Sequence, residues 1–136
     1  MSSETKKPLL ACRNLFKHFG ALAAVNNIDI DVYPGDVLGI GGPNGAGKTT
    51  FIDVISGINP ASSGTVSLDG HDITNYGPDR ICHRGMARTY QLNAGFDSLS
   101  VRDNVLVGAA FGSGDQGIPK FRYSKEMMAR VDYALE

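Results

Sequence analysis

Gly42-Pro43-Asn44-Gly45-Ala46-Gly47-Lys48-Thr49 is a glycine-rich run that ends in a cation and a hydroxyl, the pattern GxxxxGK followed by Ser or Thr. That spacing suits the capture of a polyphosphate. Glycines reach backbone conformations closed to other residues, so successive N–H groups can turn inward around phosphate oxygens. A helix starting near Lys48 adds the positive end of its dipole. Lys48 should then reach the β- and γ-phosphates, and the Thr49 hydroxyl should ligate Mg²⁺, with Thr50 next along the helix. A dinucleotide fingerprint is excluded: counted from Gly39 the third glycine position holds Asn44, and counted from Gly45 it holds Thr50. The expectation is a mononucleotide triphosphate site, with Gly42 to Thr50 as its phosphate-binding residues.

Such a loop needs a buried strand before it and a helix after it. Val37-Leu38-Gly39-Ile40 is a continuously apolar run and reads as that strand. Lys48 to Gly57 reads as the helix, with Phe51, Ile52, Val54 and Ile55 giving it apolar cover and Gly57 a C-terminal stop. Upstream, Leu9 to Phe19 reads as a strand ending at Gly20. Asn27 to Tyr33 alternates with period two, as in an antiparallel strand with one wet face. Asp29 and Asp31 are therefore read as solvent-facing and not as a catalytic pair. Thr65 to Leu68, Asp69-Gly70 and His71 to Ile73 form a hairpin signature. Further on, Pro78 to Gly85 suits a short helix and Met86 to Gln91 another strand. Val101 to Phe111 suits a helix capped by Ser100, and Gly112 to Pro119 a loop. Ser124 to Leu135 suits an amphipathic helix with Met127, Val131 and Ala134/Leu135 on one stripe. Mixed strand types around a phosphate loop imply an α/β core with an added antiparallel sheet.

The bulk properties narrow the function classes. A chain of 136 residues is the size of one domain, and its net charge of −1 leaves no electrostatic footprint for nucleic acid. Cys12 and Cys82 fit no zinc or CxxC spacing and suit reduced thiols. His18, His71 and His83 are scattered without metal spacing, and Arg80, Arg84 and Arg88 read as a solvated or protein-contacting cluster. Leu9 to Cys12 is cut short by Arg13, and no window approaches the ~20 apolar residues of a membrane span. Direct membrane insertion is not expected, so a membrane role would come through a partner.

Four segments together carry a family resemblance: GPNGAGKTT, ISGINPASSGTVSLDGHDIT, RGMARTYQ and SVRDNVLVGA. They resemble the ATPase subunits of ABC transporters, and more narrowly the branched-chain amino-acid importer group; lipopolysaccharide-export ATPases share similar segments. The resemblance runs from about Leu9 to the C-terminus. It implies a P-loop NTPase core of ABC type with an N-terminal antiparallel β subdomain, and ATP and Mg²⁺ as bound groups. It also implies transmembrane permease subunits and a second ATPase subunit as partners, and a peripheral place on the cytoplasmic side of the inner membrane. Phe19 stands where the family places an aromatic that stacks on adenine, although Phe16 and Phe19 could both be core. Gln91 matches the glutamine that meets Mg²⁺ or the attacking water, so the implied catalytic residues are Lys48 and Gln91 and the implied metal ligands Thr49 and Gln91. Asn44 would lie on the γ-phosphate side. Gly41 stands where the family has an aliphatic residue. A small-molecule kinase is disfavoured by the RTYQ segment.

The family's water-orienting machinery has no counterpart in this sequence. Hydrolysis needs an acid beyond the phosphate cradle, and no run of four apolar residues followed by Asp-Glu occurs. Ser113-Gly114-Asp115-Gln116 matches the family's Ser-Gly-Gly-Gln signature at three of four positions, but Pro119 disfavours the helix that signature would head. The expected organisation is the N-terminal part of an ABC ATPase domain over residues 1–100, and the start of a helical subdomain over 101–136. The chain is expected to end inside that subdomain and, alone, to bind nucleotide without turning it over.

Overall fold

The computed structural model describes residues 7–90, 95–112 and 124–136. The chain divides into two compact units, Met1–Ile81 and Cys82–Glu136. In the first, the apolar run after Pro8 forms β1 (Leu10–Phe19), and β2 (Leu22–Val32) returns beside it antiparallel, starting at Leu22 and not at Asn27. Period two holds from Ile28 to Val32, with Ile28, Ile30 and Val32 half-buried and Asp29 and Asp31 exposed. Asp31 pairs with Arg13 at 2.6 Å, and the Asp29 carboxylate accepts the Asn14 N–H at 2.8 Å. β3 (Ser63–Leu68) lies on the other side of β1, with Cys12 opposite Val66, and β4 (His71–Asp72) follows through Asp69-Gly70. The sheet order is β2-β1-β3-β4. Asp69 and Gly70 both have positive φ, 48° and 73°, as a two-residue hairpin turn requires.

One irregularity in this sheet bears on the site. Lys17 faces Val25 and His18 faces Ala23, so Ala24 has no partner in the ladder. An extra residue of this kind is a β-bulge, which bends the strand and re-aims the groups at the bulge.

Helix α1 (Lys48–Ile55) ends at Ser56, with Gly57 following. Its Phe51, Val54 and Ile55 are buried, as are Leu15, Val25, Val66, Leu68 and Ile73. Leu15 is wholly inaccessible, and complete burial of a side chain that size contributes about 1.5–3 kcal/mol. Cys12 is equally inaccessible, and burial pushes its thiol up to about 11.

Two strand expectations are corrected. Val37 to Ile40 is not part of any sheet among the described residues, and Val37 is 100% exposed. A short apolar run becomes a strand only when a neighbour takes up its N–H and C=O groups, and no described strand lies beside it. Met86 to Tyr90 likewise has no regular structure, for the same want of a ladder partner.

Helix α2 (Pro78–His83) carries the chain from the first unit into the second. The second unit packs α3 (Val101–Gly112) with α4 (Lys125–Leu135). Ser100 Oγ accepts the Asp103 N–H at 3.1 Å and caps α3 as expected, and Ser124 Oγ accepts the Met127 N–H at 3.1 Å and caps α4. Val131 is fully buried and Met127 half-buried, whereas Ala134 and Leu135 at the end of the expected stripe are exposed. Arg102 of α3 pairs with Asp132 of α4 at 2.7 Å.

Candidate functional site

The phosphate loop runs from Gly42 to Gly47 and ends at the first residue of α1. Gly47 has φ 87° and is the N-cap of that helix, without a side-chain cap. No acidic residue occupies the first turn, so no side-chain carboxylate competes there with an anion for the helix N–H groups and dipole. Close approach fixes the glycine here: a Cβ on Gly47 would lie 2.0 Å from the Ala24 carbonyl oxygen. That carbonyl belongs to the bulged residue of β2. The bulge thus sets the helix start against the hairpin.

Lys48 folds back across the loop. Its Nζ donates to the Gly42 carbonyl at 2.6 Å and the Pro43 carbonyl at 2.7 Å. An ammonium has three donors, so one remains for a ligand oxygen. The Ala46 N–H donates to the Pro43 carbonyl at 3.2 Å and closes the loop on itself.

A cleft of about 520 Å³ opens over this loop, within the size range of small-molecule sites. One wall is Asn44 to Thr50, and the other is Phe19 with Leu22, Ala23 and Ala24. Phe19, the expected aromatic, reaches the cleft and is 48% exposed. Phe16 is half-buried and stacks on His18, with ring centroids 5.9 Å apart. Gly42 and Pro43 serve the site through the carbonyls that hold Lys48. Thr49, the second residue of α1, is exposed and lines the cleft, as does Thr50. Mg²⁺ commonly takes one or two protein oxygens and completes its shell with phosphate and water, so the Thr49 hydroxyl beside the phosphate loop fits that ion. Gln91 lies outside the described residues, as does Ser113 to Gln116.

Beneath the loop is a second, more apolar hollow of about 380 Å³, lined by Val25, Ile28, Ile30, Ile40 and Phe51 among others. A Cβ on Gly41, at the edge of this hollow, would meet nothing within 4 Å.

Residues 25–136 match the ABC transporter family. The chain belongs to that family. Over 99 residues it is 40% identical to the probable branched-chain amino acid transport ATP-binding protein LivG of Archaeoglobus fulgidus, an alignment covering 73% of this chain and 38% of that protein. It is also 37% identical over 101 residues to the ribose import ATP-binding protein RbsA 1 of Streptomyces coelicolor, covering 74% and 20%. Among solved structures, the ADP conformation of an ATP-binding cassette of an ABC transporter superposes with a TM-score of 0.75 at 34% identity. It covers 94% of this chain and 51% of that one. The α/β architecture with its antiparallel sheet is thus that of an ABC ATPase domain. The chain spans well under half the length of these curated relatives.

Several cleft residues were not legible beforehand. Leu22 to Ala24 fell before the expected start of β2, because Ala-Ala does not alternate. The apolar LAAV after Gly20-Ala21 was the available signal for an earlier start.

Proposed function

We propose that this chain carries the ATP-binding part of an ABC-transporter ATPase subunit that powers import of branched-chain amino acids. The observation that carries it is one cleft with the Gly42–Thr49 loop on one wall and the exposed Phe19 ring on the other. In this reading the loop N–H groups and Lys48 hold the phosphates, Asn44 lies on the γ-phosphate side and Phe19 stacks on adenine. Thr49, with Gln91, holds Mg²⁺, which when bound would neutralise charge on the β- and γ-phosphates. Residues 1–100 form the N-terminal part of the ATPase domain and 101–136 the start of its helical subdomain. The partners are transmembrane permease subunits and a second ATPase subunit, on the cytoplasmic side of the inner membrane. No helix among the described residues is long and apolar enough to cross a membrane. The amino-acid reading rests on the LivG relatives, and sugar importers also match. Disrupting the gene should abolish leucine uptake and spare ribose uptake; loss of ribose uptake alone would refute the substrate class.

A second reading has its own support. The sequence holds no apolar run ending in Asp-Glu, the acid that would position water. On that reading residues 1–136 bind ATP without hydrolysing it. Titrating ATP into the purified chain by calorimetry, alongside a steady-state phosphate-release assay, tests it: binding without release is expected, and turnover would refute it.

A further inference from the structure

Lys17 is a buried lysine that the phosphate chemistry does not use. It is 8% exposed, and lysines are seldom so buried without a partner. No carboxylate pairs with it among the described residues. Its Nζ donates to the Pro60 carbonyl at 2.8 Å and lies 4.9 Å from the centroid of the Phe19 ring. Phe19 lines the cleft and Lys17 does not. We propose that Lys17 is a positioning residue for the base platform, clamped to Pro60 and holding the Phe19 ring in the cleft wall where a nucleobase would stack. The proposal rests on the reading of Phe19 as that platform.

Three features support it. First, the carbonyl that anchors the ammonium is itself fixed. Pro60 leads into Ser62, whose N–H donates to the Phe16 carbonyl at 2.8 Å and whose Oγ accepts the His18 N–H at 3.0 Å. The segment after α1 is therefore pinned to the end of β1, and Lys17 extends that anchorage to the ring. Second, Phe19 ends its strand beside the Ala24 bulge and is nearly half exposed, so backbone pairing and burial leave its ring loosely held. Third, cation–π attraction strengthens as the cation is desolvated, and Lys17 is desolvated. A cation beside the ring also draws on its π-density, which favours stacking of an electron-rich purine on the ring.

The test compares ATP with inorganic tripolyphosphate, which has no base, binding to the full chain by calorimetry. Lys17→Met should weaken ATP by about three- to tenfold and leave tripolyphosphate unchanged. Lys17→Arg, which can both donate to Pro60 and stack, should restore ATP binding. Lys17→Gln keeps a donor without the charge and should behave like Lys17→Met, covering the case in which the methionine variant does not fold. In a Phe19→Ala background neither change should add a further loss. Equal losses for both ligands, or an undiminished loss in the Phe19→Ala background, would overturn the role of Lys17. If Phe19→Ala itself spares ATP, the platform reading fails instead. If the unaltered chain binds neither ligand, the nucleotide site itself is refuted.

Discussion

Replacing Gly47 by Ala tests whether the β2 bulge really fixes the start of α1. Gly47 has φ 87°, and an L-residue in that left-handed region costs about 1–2 kcal/mol. The new Cβ would also sit 2.0 Å from the Ala24 oxygen and 3.2 Å from its carbon. Both are backbone atoms, so no rotamer change relieves the overlap, and overpacking of this sort costs about 1–3 kcal/mol. The total is about 2–5 kcal/mol. Gly45 supplies the control: its φ is 84°, yet a Cβ there meets nothing within 4 Å. Gly45→Ala should lose only the conformational part, about 1–2 kcal/mol. The entropy that either alanine removes from the unfolded chain, about 0.4–1 kcal/mol, is common to both and cancels. Urea unfolding followed by circular dichroism should therefore place Gly47→Ala below Gly45→Ala by about 1–3 kcal/mol. Equal midpoints at equal slopes would refute the idea that Ala24 stops the helix.

Lys48→Ala should weaken ATP binding by about 1.5–3 kcal/mol, the range for a charged hydrogen bond; unchanged affinity in calorimetry would sink the cradle assignment. Purified residues 1–136 should show no steady-state ATP hydrolysis, and turnover that vanishes with Lys48→Ala would contradict this. Gly41→Ala should stabilise by about 0.4–1 kcal/mol, because the site is open and only unfolded-state entropy changes; a lower melting temperature would count against the open hollow. Cys12 is raised from 9.0 to about 11 chiefly by burial, so the folded state holds its proton more tightly. Its contribution is complete below pH 9 and is lost as pH climbs through 11, a total of about 3 kcal/mol. Cys12→Ala should flatten stability over that alkaline window, and an unchanged pH profile would argue against it.

Local signals and pairing signals fared differently. The Asp69-Gly70 turn, the Ser100 cap and the start of α1 at Lys48 were legible because each depends on a few adjacent residues. Asp29 and Asp31 were correctly placed on the outer face because period two is intrinsic to a strand. Val37 to Ile40 was misplaced because strand formation depends on a neighbour, which no local window contains. The Ala24 bulge was hidden for a related reason: it exists only in the register between β1 and β2, set by both strands together. On the site itself, the loop could be read from its glycines, whereas of the facing wall only Phe19 was expected, and that from the family resemblance. That its ring, and not that of Phe16, is left exposed at the strand end depends on strand pairing.

That facing wall shifts the weight of the site toward the antiparallel sheet. The β1–β2 hairpin contributes Phe19 at one end of the cleft and the Ala24 carbonyl that meets the helix start at the other. Both come from within a few residues of the Gly20-Ala21 turn, so one local geometry sets the distance between base platform and phosphate cradle. Loop and hairpin are in turn tied through α1 and the Pro60–Ser62 segment, which Lys17 and Ser62 fasten to β1. The nucleotide-facing groups thus form a closed circuit of hairpin, loop, helix and return segment. The apolar hollow at Gly41 shares Ala24, Gly47 and Lys48 with that circuit, but its far wall of Ile28, Ile30 and Ile40 does not reach the cleft. Changes there should alter stability while leaving the ratio of ATP to tripolyphosphate affinity untouched, whereas changes at Lys17, Phe19 or Ala24 should move that ratio.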